Sequence, residues 1–206
     1  MQGADWMWLL ALAMAAWAVW VAWPRKLVRV GGGGAGKEYV VRNEDGAAAV
    51  AERLAALEVR VREFLDRAEA YAPGDPRLLA IRARWDGTLS ETPADADVAF
   101  SLDKGSISLC VRRADGSLEP ENSSMFVLLH ELGHVATDSY GHKPEFWANA
   151  KFLLELADAT GSYAYQDFDA VQTSYCGTRL RDSPLTCVKN RACASELRPP
   201  PRGPTI

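Results

Sequence analysis

His130-Glu131-Leu132-Gly133-His134 is the stretch on which the reading of this 206-residue chain turns. On a helix, residues four apart share a face, so the two imidazoles can reach a single ion. Glu131, turned by one residue, then holds its carboxylate beside the ion's open position. The helical context is present, because Met125, Leu128, Leu129, Leu132, Val135 and Ala136 supply a broad apolar side. Ser123 or Ser124 is available to cap the start. Catalytic zinc takes three protein ligands and keeps a fourth place for water. The third expected ligand is His142, since Gly141 lets the chain leave the helix and Pro144 suits the first turn of the next one. All three histidines of the chain fall between positions 130 and 142. Glu145 and Glu155 are the alternative third ligands.

Outward from this motif, helices are expected at about 124–140 and 144–160. Upstream, Val98 to Leu102 and Ile107 to Arg113 read as strands flanking the Asp103-Lys104-Gly105 turn. In the second strand Ile107, Leu109 and Val111 share one face. That strand is either a sheet edge open to an extended peptide or an ordinary internal strand. Val50, Leu54, Leu57, Val61 and Leu65 recur at helical spacing, which predicts a long amphipathic helix over 47–70. A shorter helix is expected over 76–85 and a short strand over 38–42. Phe146, Trp147, Ala150, Leu153, Leu154 and Ala157 also recur at helical spacing and read as core. After Gly161 the pattern is irregular, and Pro199-Pro200-Pro201 with Pro204 marks a disordered tail over 196–206. The fold class is α+β, with an active-site helix and a small antiparallel sheet.

The N-terminal 30 residues read as a transmembrane anchor. Residues 6–23 carry no charged side chain, have tryptophans near both ends and would rise about 27 Å as a helix. Arg25, Lys26 and Arg29 follow this run, which by the positive-inside rule places the later residues on the cytoplasmic side. A cleaved signal peptide is the competing reading. Residues 31–37 then form a glycine-rich linker, and 38–195 the folded domain. Cys110, Cys176, Cys187 and Cys193 match no paired zinc or redox spacing and are expected as scattered reduced thiols. Hydrophobic residues at 48% and charged residues at 24% fit a globular domain, and the net charge of -4 gives no reason to expect direct nucleic-acid binding.

His130-Glu131-Leu132-Gly133-His134, followed by Gly141-His142-Lys143-Pro144-Glu145-Phe146-Trp147, resembles the WLM and SprT-like zincin metalloproteases, and most of all the WLM-like proteins of large DNA viruses. The similar region runs over about 98–185 and includes the Leu-Asp-Lys-Gly turn, Tyr175-Cys176-Gly177 and Ser183-Pro184-Leu185. The loop of seven residues between His134 and His142 is longer than in the yeast-type members. The resemblance implies a zincin-like domain, Zn2+ held by His130, His134 and His142, Glu131 as general base, and a protein or peptide substrate. Tyr140, Tyr163, Tyr165 and Tyr175 are candidates to stabilise the oxyanion. Two alternatives stay open: an interaction protein with a vestigial zinc fold, and a zinc hydrolase of a non-peptide substrate.

Overall fold

A computed structural model describes residue 14 and residues 27–197, apart from 35, 97 and 182. Its longest element is the amphipathic helix α1 (Ala47–Tyr71), whose Val50, Leu54, Leu57, Val61, Phe64 and Ala68 are all buried at the spacing of one face. It follows the hairpin β1 (Leu27–Gly32) and β2 (Lys37–Arg42) and precedes α2 (Pro76–Arg84), where Asp75 accepts a hydrogen bond from the Arg77 N–H and Pro76 takes the first turn. The strands β3 (Thr88–Glu91), β4 (Ala99–Leu102) and β5 (Ser106–Leu109) come next. They lead to the motif-bearing helix α3 (Glu121–Ala136) and then α4 (Pro144–Ala159). A two-stranded hairpin, β6 (Ser174–Tyr175) and β7 (Thr178–Arg179), and the short helix α5 (Pro184–Lys189) occupy the stretch expected to be irregular.

The five longer strands form one sheet in the order β1-β2-β3-β5-β4. β1 pairs with β2 and β4 with β5 antiparallel, but β2–β3 and β3–β5 are parallel. The sheet is therefore mixed, not the small antiparallel sheet expected. The parallel β2–β3 step requires a crossover, and α1 and α2 supply it. Helix α1 packs on β1, β2 and β3, and α3 packs on β4 and β5. Strand β5 is internal, so the edge beside the motif helix belongs to β4. Residues Asp103 and Lys104 at the β4–β5 turn both adopt the left-handed conformation, and Lys104 Nζ donates to the Thr137 and Asp138 carbonyls at the end of α3.

Several expectations change. No helix among the described residues is long and apolar enough to cross a membrane, so the expected transmembrane helix is not found, and residues 6–23, apart from residue 14, lie outside the described residues. The glycine linker is instead the end of β1 and the turn into β2. A Cβ on Gly32 would sit 2.6 Å from the Ala51 carbonyl oxygen, so the glycine lets β1 lie against α1. The domain also runs past residue 195, because Glu196 pairs with Arg77 at 2.9 Å and its N–H donates to Glu155. The tail beyond residue 197 lies outside the described residues. The cysteines are not scattered thiols: Cys110 is bonded to Cys176 and Cys187 to Cys193. The fold brings the end of β5 to the β6–β7 turn across 66 residues, a proximity that spacing along the chain does not encode. Disulfides persist in oxidising compartments, so the pairing lends no support to the expected cytoplasmic placement.

Candidate metal centre

Helix α3 starts at Pro120 without a side-chain cap, and Ser124 lies inside it, donating to the Pro120 carbonyl. Neither serine is the cap the sequence suggested. One turn before its end, His130 and His134 stand on the same face. The helix closes at Thr137, whose hydroxyl donates to the Gly133 carbonyl at 2.7 Å and accepts from Asn149 Nδ2 at 2.9 Å. That bond fastens α4 to the end of α3. Between the helices Gly141 has φ 78°, the left-handed turn that only glycine adopts without cost, and Pro144 opens α4. The loop thereby carries His142 back over the motif.

The three rings converge. His142 Nε2 lies 3.0 Å from His130 Nε2 and 3.2 Å from His134 Nε2, and the ligand atoms of all three fall within 4.8 Å of one another. A tetrahedral ion with Zn–N bonds near 2.0–2.1 Å separates its nitrogens by about 3.3 Å, which the two spacings to His142 approach, while all three ligand atoms stay within 4.8 Å. A single ring N–H can serve only one neighbour, whereas a central cation satisfies all three lone pairs, and an all-imidazole set suits zinc. The residues present fit the group. Burial, followed by the charges of the neighbouring imidazoles, pushes His130 down to about 4. Burial, then the charges of His142 and Lys104, does the same to His134. Both rings are therefore neutral at ordinary pH, the form in which imidazole binds metal.

Phe146 locks the cluster from below. It is fully buried, stacks on His134 with ring centres 4.1 Å apart, and meets His130 and His142 edge-on at 4.8 and 4.7 Å. Trp147 stacks on His142 at 5.6 Å. Gly133 makes this fit possible, since a Cβ there would be 3.2 Å from Phe146 and 3.3 Å from the Ala150 Cβ. Neither alternative ligand reaches the cluster. Glu145 instead accepts from the Ser139 hydroxyl at 2.7 Å and braces the His142 loop. Glu155 is taken up by Ser195, the Glu196 N–H and Lys151.

Glu131 is 5% exposed and sits between α3 and the edge strand β4. Burial raises its pKa to about 7, against the opposing hydrogen bond from the Ser101 backbone N–H. A cation beside it would favour the ionised form. The carboxylate faces a cavity of about 340 Å³ lined also by His130, Phe126, Trp147 and the stretch from Arg179 at the end of β7 to Arg181. None of the four candidate tyrosines lines it. Tyr175 donates to the Cys110 carbonyl, Tyr165 bonds Thr186, Tyr163 is buried against Phe126, and Tyr140 points to solvent. The cavity wall from Arg179 to Arg181 escaped the sequence reading, and Trp147, read there as core, is 40% exposed and part of that wall.

The chain is 30% identical over 151 residues to an uncharacterized protein of Acanthamoeba polyphaga mimivirus, an alignment covering 68% of this chain and 76% of the viral one. The chain belongs to the family of that mimivirus protein. Shorter similarities tie the family to uncharacterized proteins of two iridescent viruses. The chain is 37% identical over 68 residues to one from invertebrate iridescent virus 6, and 38% identical over 66 residues to one from invertebrate iridescent virus 3. These alignments span 38% and 42% of the iridescent-virus proteins and 32% of this chain. No family model matches the chain, and no solved structure matches it.

Proposed function

We propose that the chain is a zinc-dependent peptidase whose metal is held by His130, His134 and His142. One observation carries this reading: three imidazole nitrogens converge on one point while a buried carboxylate, Glu131, stands next to them at the mouth of an apolar cavity. A structural site has no use for that carboxylate, and structural zinc usually closes with a fourth protein ligand. Bound zinc supplies a Lewis acid that polarises the scissile carbonyl and lowers the pKa of a water from about 15.7 to about 7. Glu131 takes the proton of the attacking water and hands it to the departing amine. The Ser101 N–H orients that carboxylate from the edge strand. Strand β4 has β5 on one side only, so its free side can accept an extended substrate backbone as an added strand. Phe146 and Trp147 fix the imidazole planes.

The test is peptide hydrolysis by the full chain, with zinc and with a chelator. Zinc-dependent cleavage is expected, and Glu131→Gln should retain one zinc per chain while turnover falls by about 10²–10⁴-fold. Undiminished turnover in that variant would remove Glu131 from the mechanism, and unchanged activity under chelation would remove the metal.

A further inference from the structure

The turn between β4 and β5 puts a lysine where glycine is favoured. The Gly105 N–H donates to the Leu102 carbonyl at 3.0 Å, and both central residues of that turn have positive φ, 47° at Asp103 and 59° at Lys104. Turns of this hand favour Asn or Asp followed by glycine. Asp103 is tolerated, because a short polar side chain visits the left-handed region, but a lysine gains nothing there. Strain of this kind persists only where the surroundings over-determine it. What holds Lys104 is its ammonium group. Nζ donates to the Thr137 carbonyl and, at 2.8 Å, to the Asp138 carbonyl, and it stands 5.1 Å from the centre of the Tyr140 ring. All three partners belong to the stretch between His134 and His142. The turn itself is fastened to the end of α2, where the Asp86 N–H donates to the Gly105 carbonyl at 3.0 Å. Arg84 of α2 donates to the Val135 carbonyl at 2.9 Å and pairs with Asp138. Two cations therefore meet the last carbonyls of α3, the charge that a helix C-terminus favours.

Lys104 adds something that Arg84 does not. It stands just past the end of β4, the strand whose Ser101 N–H bonds Glu131. One side chain thus spans from the strand that orients Glu131 to the loop that carries His142. We propose that Lys104 is a positioning residue, which holds His142 over His130 and His134 and fixes that loop relative to Glu131. The inference rests on the metal centre of the peptidase reading. The strained φ aims the ammonium at α3, and a relaxed turn with glycine would leave the Thr137 and Asp138 carbonyls without this donor. Glu145 of α4 holds the same loop from its other end, through the Ser139 hydroxyl at 2.7 Å.

The test is zinc titration against a competing chelator, on the full chain and on substitutions of Lys104. Lys104→Met keeps the stem and loses the ammonium, and its zinc affinity should fall about tenfold, the lower end for groups that orient metal ligands from outside. Lys104→Arg supplies N–H donors for the same carbonyls and should recover most of that loss. Lys104→Gly separates positioning from stability, because glycine adopts a φ of 59° freely. Without metal it should unfold at a higher temperature than Lys104→Met, although the two bind zinc equally poorly. With Co2+ in place of zinc, displacement of His142 should change the visible absorption of Lys104→Met and Lys104→Gly but not of Lys104→Arg. Wild-type zinc affinity and an unchanged cobalt spectrum in Lys104→Met overturn the proposal. It is also overturned if zinc affinity follows stability, higher in Lys104→Gly than in Lys104→Met, since the lysine is then a helix cap and nothing more. If the wild-type chain binds zinc but cleaves no peptide, the peptidase reading falls and the titrations still decide on Lys104. If the wild-type chain binds no zinc, both fall.

Discussion

Phe146 reaches all three imidazoles, and through it the packing of α4 becomes the geometry of the proposed metal site. His142 depends on this most, because it stands on an exposed loop held otherwise by surface contacts such as the Glu145 carboxylate on Ser139. Replacing His142 by alanine should therefore weaken zinc binding far more than Glu145→Ala, which loosens the loop but removes no ligand. Titration with zinc in a competing chelator would rank the two, and the reverse order would reassign the third ligand. At this scale the sequence was most readable where chemistry dictates spacing. His130 and His134 need one helical face, and Gly141 with Pro144 announces a turn that returns His142 to it. Trp147 was misread because helical periodicity marks a face without telling whether that face meets core or a cavity. Arg179 and Arg181 carried no signal at all, since their position depends on a hairpin closed by residues far away in the chain.

Helices α3 and α4 meet at Gly133, which lies in the HExxH motif between the two candidate ligands His130 and His134. Phe146 is pinned among three rings and Ala150 is close to its own backbone, so neither has room to retreat from a side chain at 133. Gly133→Val should force the helices apart at an overpacking cost of about 1–3 kcal/mol, only partly offset by the better helix propensity. Zinc affinity should fall in parallel, and thermal unfolding alongside zinc titration would detect both. If stability and affinity stay at wild-type levels, the close approach does not set the site. The same scale explains where element prediction succeeded and failed. Helix α1 was legible from its buried stripe, within a residue or two of its observed ends. The β1–β2 hairpin was not, because six small residues look alike whether they are a loose linker or a strand pressed against a helix. Strand pairing was hidden in part: the Asp103-Lys104-Gly105 turn announced β4 beside β5, yet nothing in β5 tells that β3 flanks its other side.

Across the whole molecule, a buried charge cluster ties the sheet together. Glu91, 1% exposed, accepts from Arg42 Nε at 2.8 Å, from the Arg42 N–H at 2.7 Å and from Arg112 Nη2 at 2.9 Å, joining β2, β3 and the segment after β5. Burial raises its pKa, but the hydrogen bonds from Arg112 and Arg42 outweigh this and hold it below its ordinary 4.5. A depressed folded pKa means that the unfolded chain takes up the proton first. The stabilisation is present above pH 4.5 and is lost as pH falls through the lower folded value. Glu91→Gln should lose about 3–5 kcal/mol at pH 7, because the Arg112 guanidinium is left buried without its counter-charge. It should also show a shallower decline of stability below pH 5, and urea unfolding at pH 7 and pH 4 would check both. An unchanged acid profile would place the pH dependence elsewhere.

The Cys110–Cys176 bond has a topological consequence. Every residue of the proposed centre, from His130 to Trp147, lies on the covalent ring that this bond closes. A backbone cut anywhere inside the ring, including self-cleavage in the exposed loop before His142, opens the ring without releasing a fragment. Nicked molecules should run as one band on a non-reducing gel and as two after reduction, and if they separate without reductant the ring is not closed.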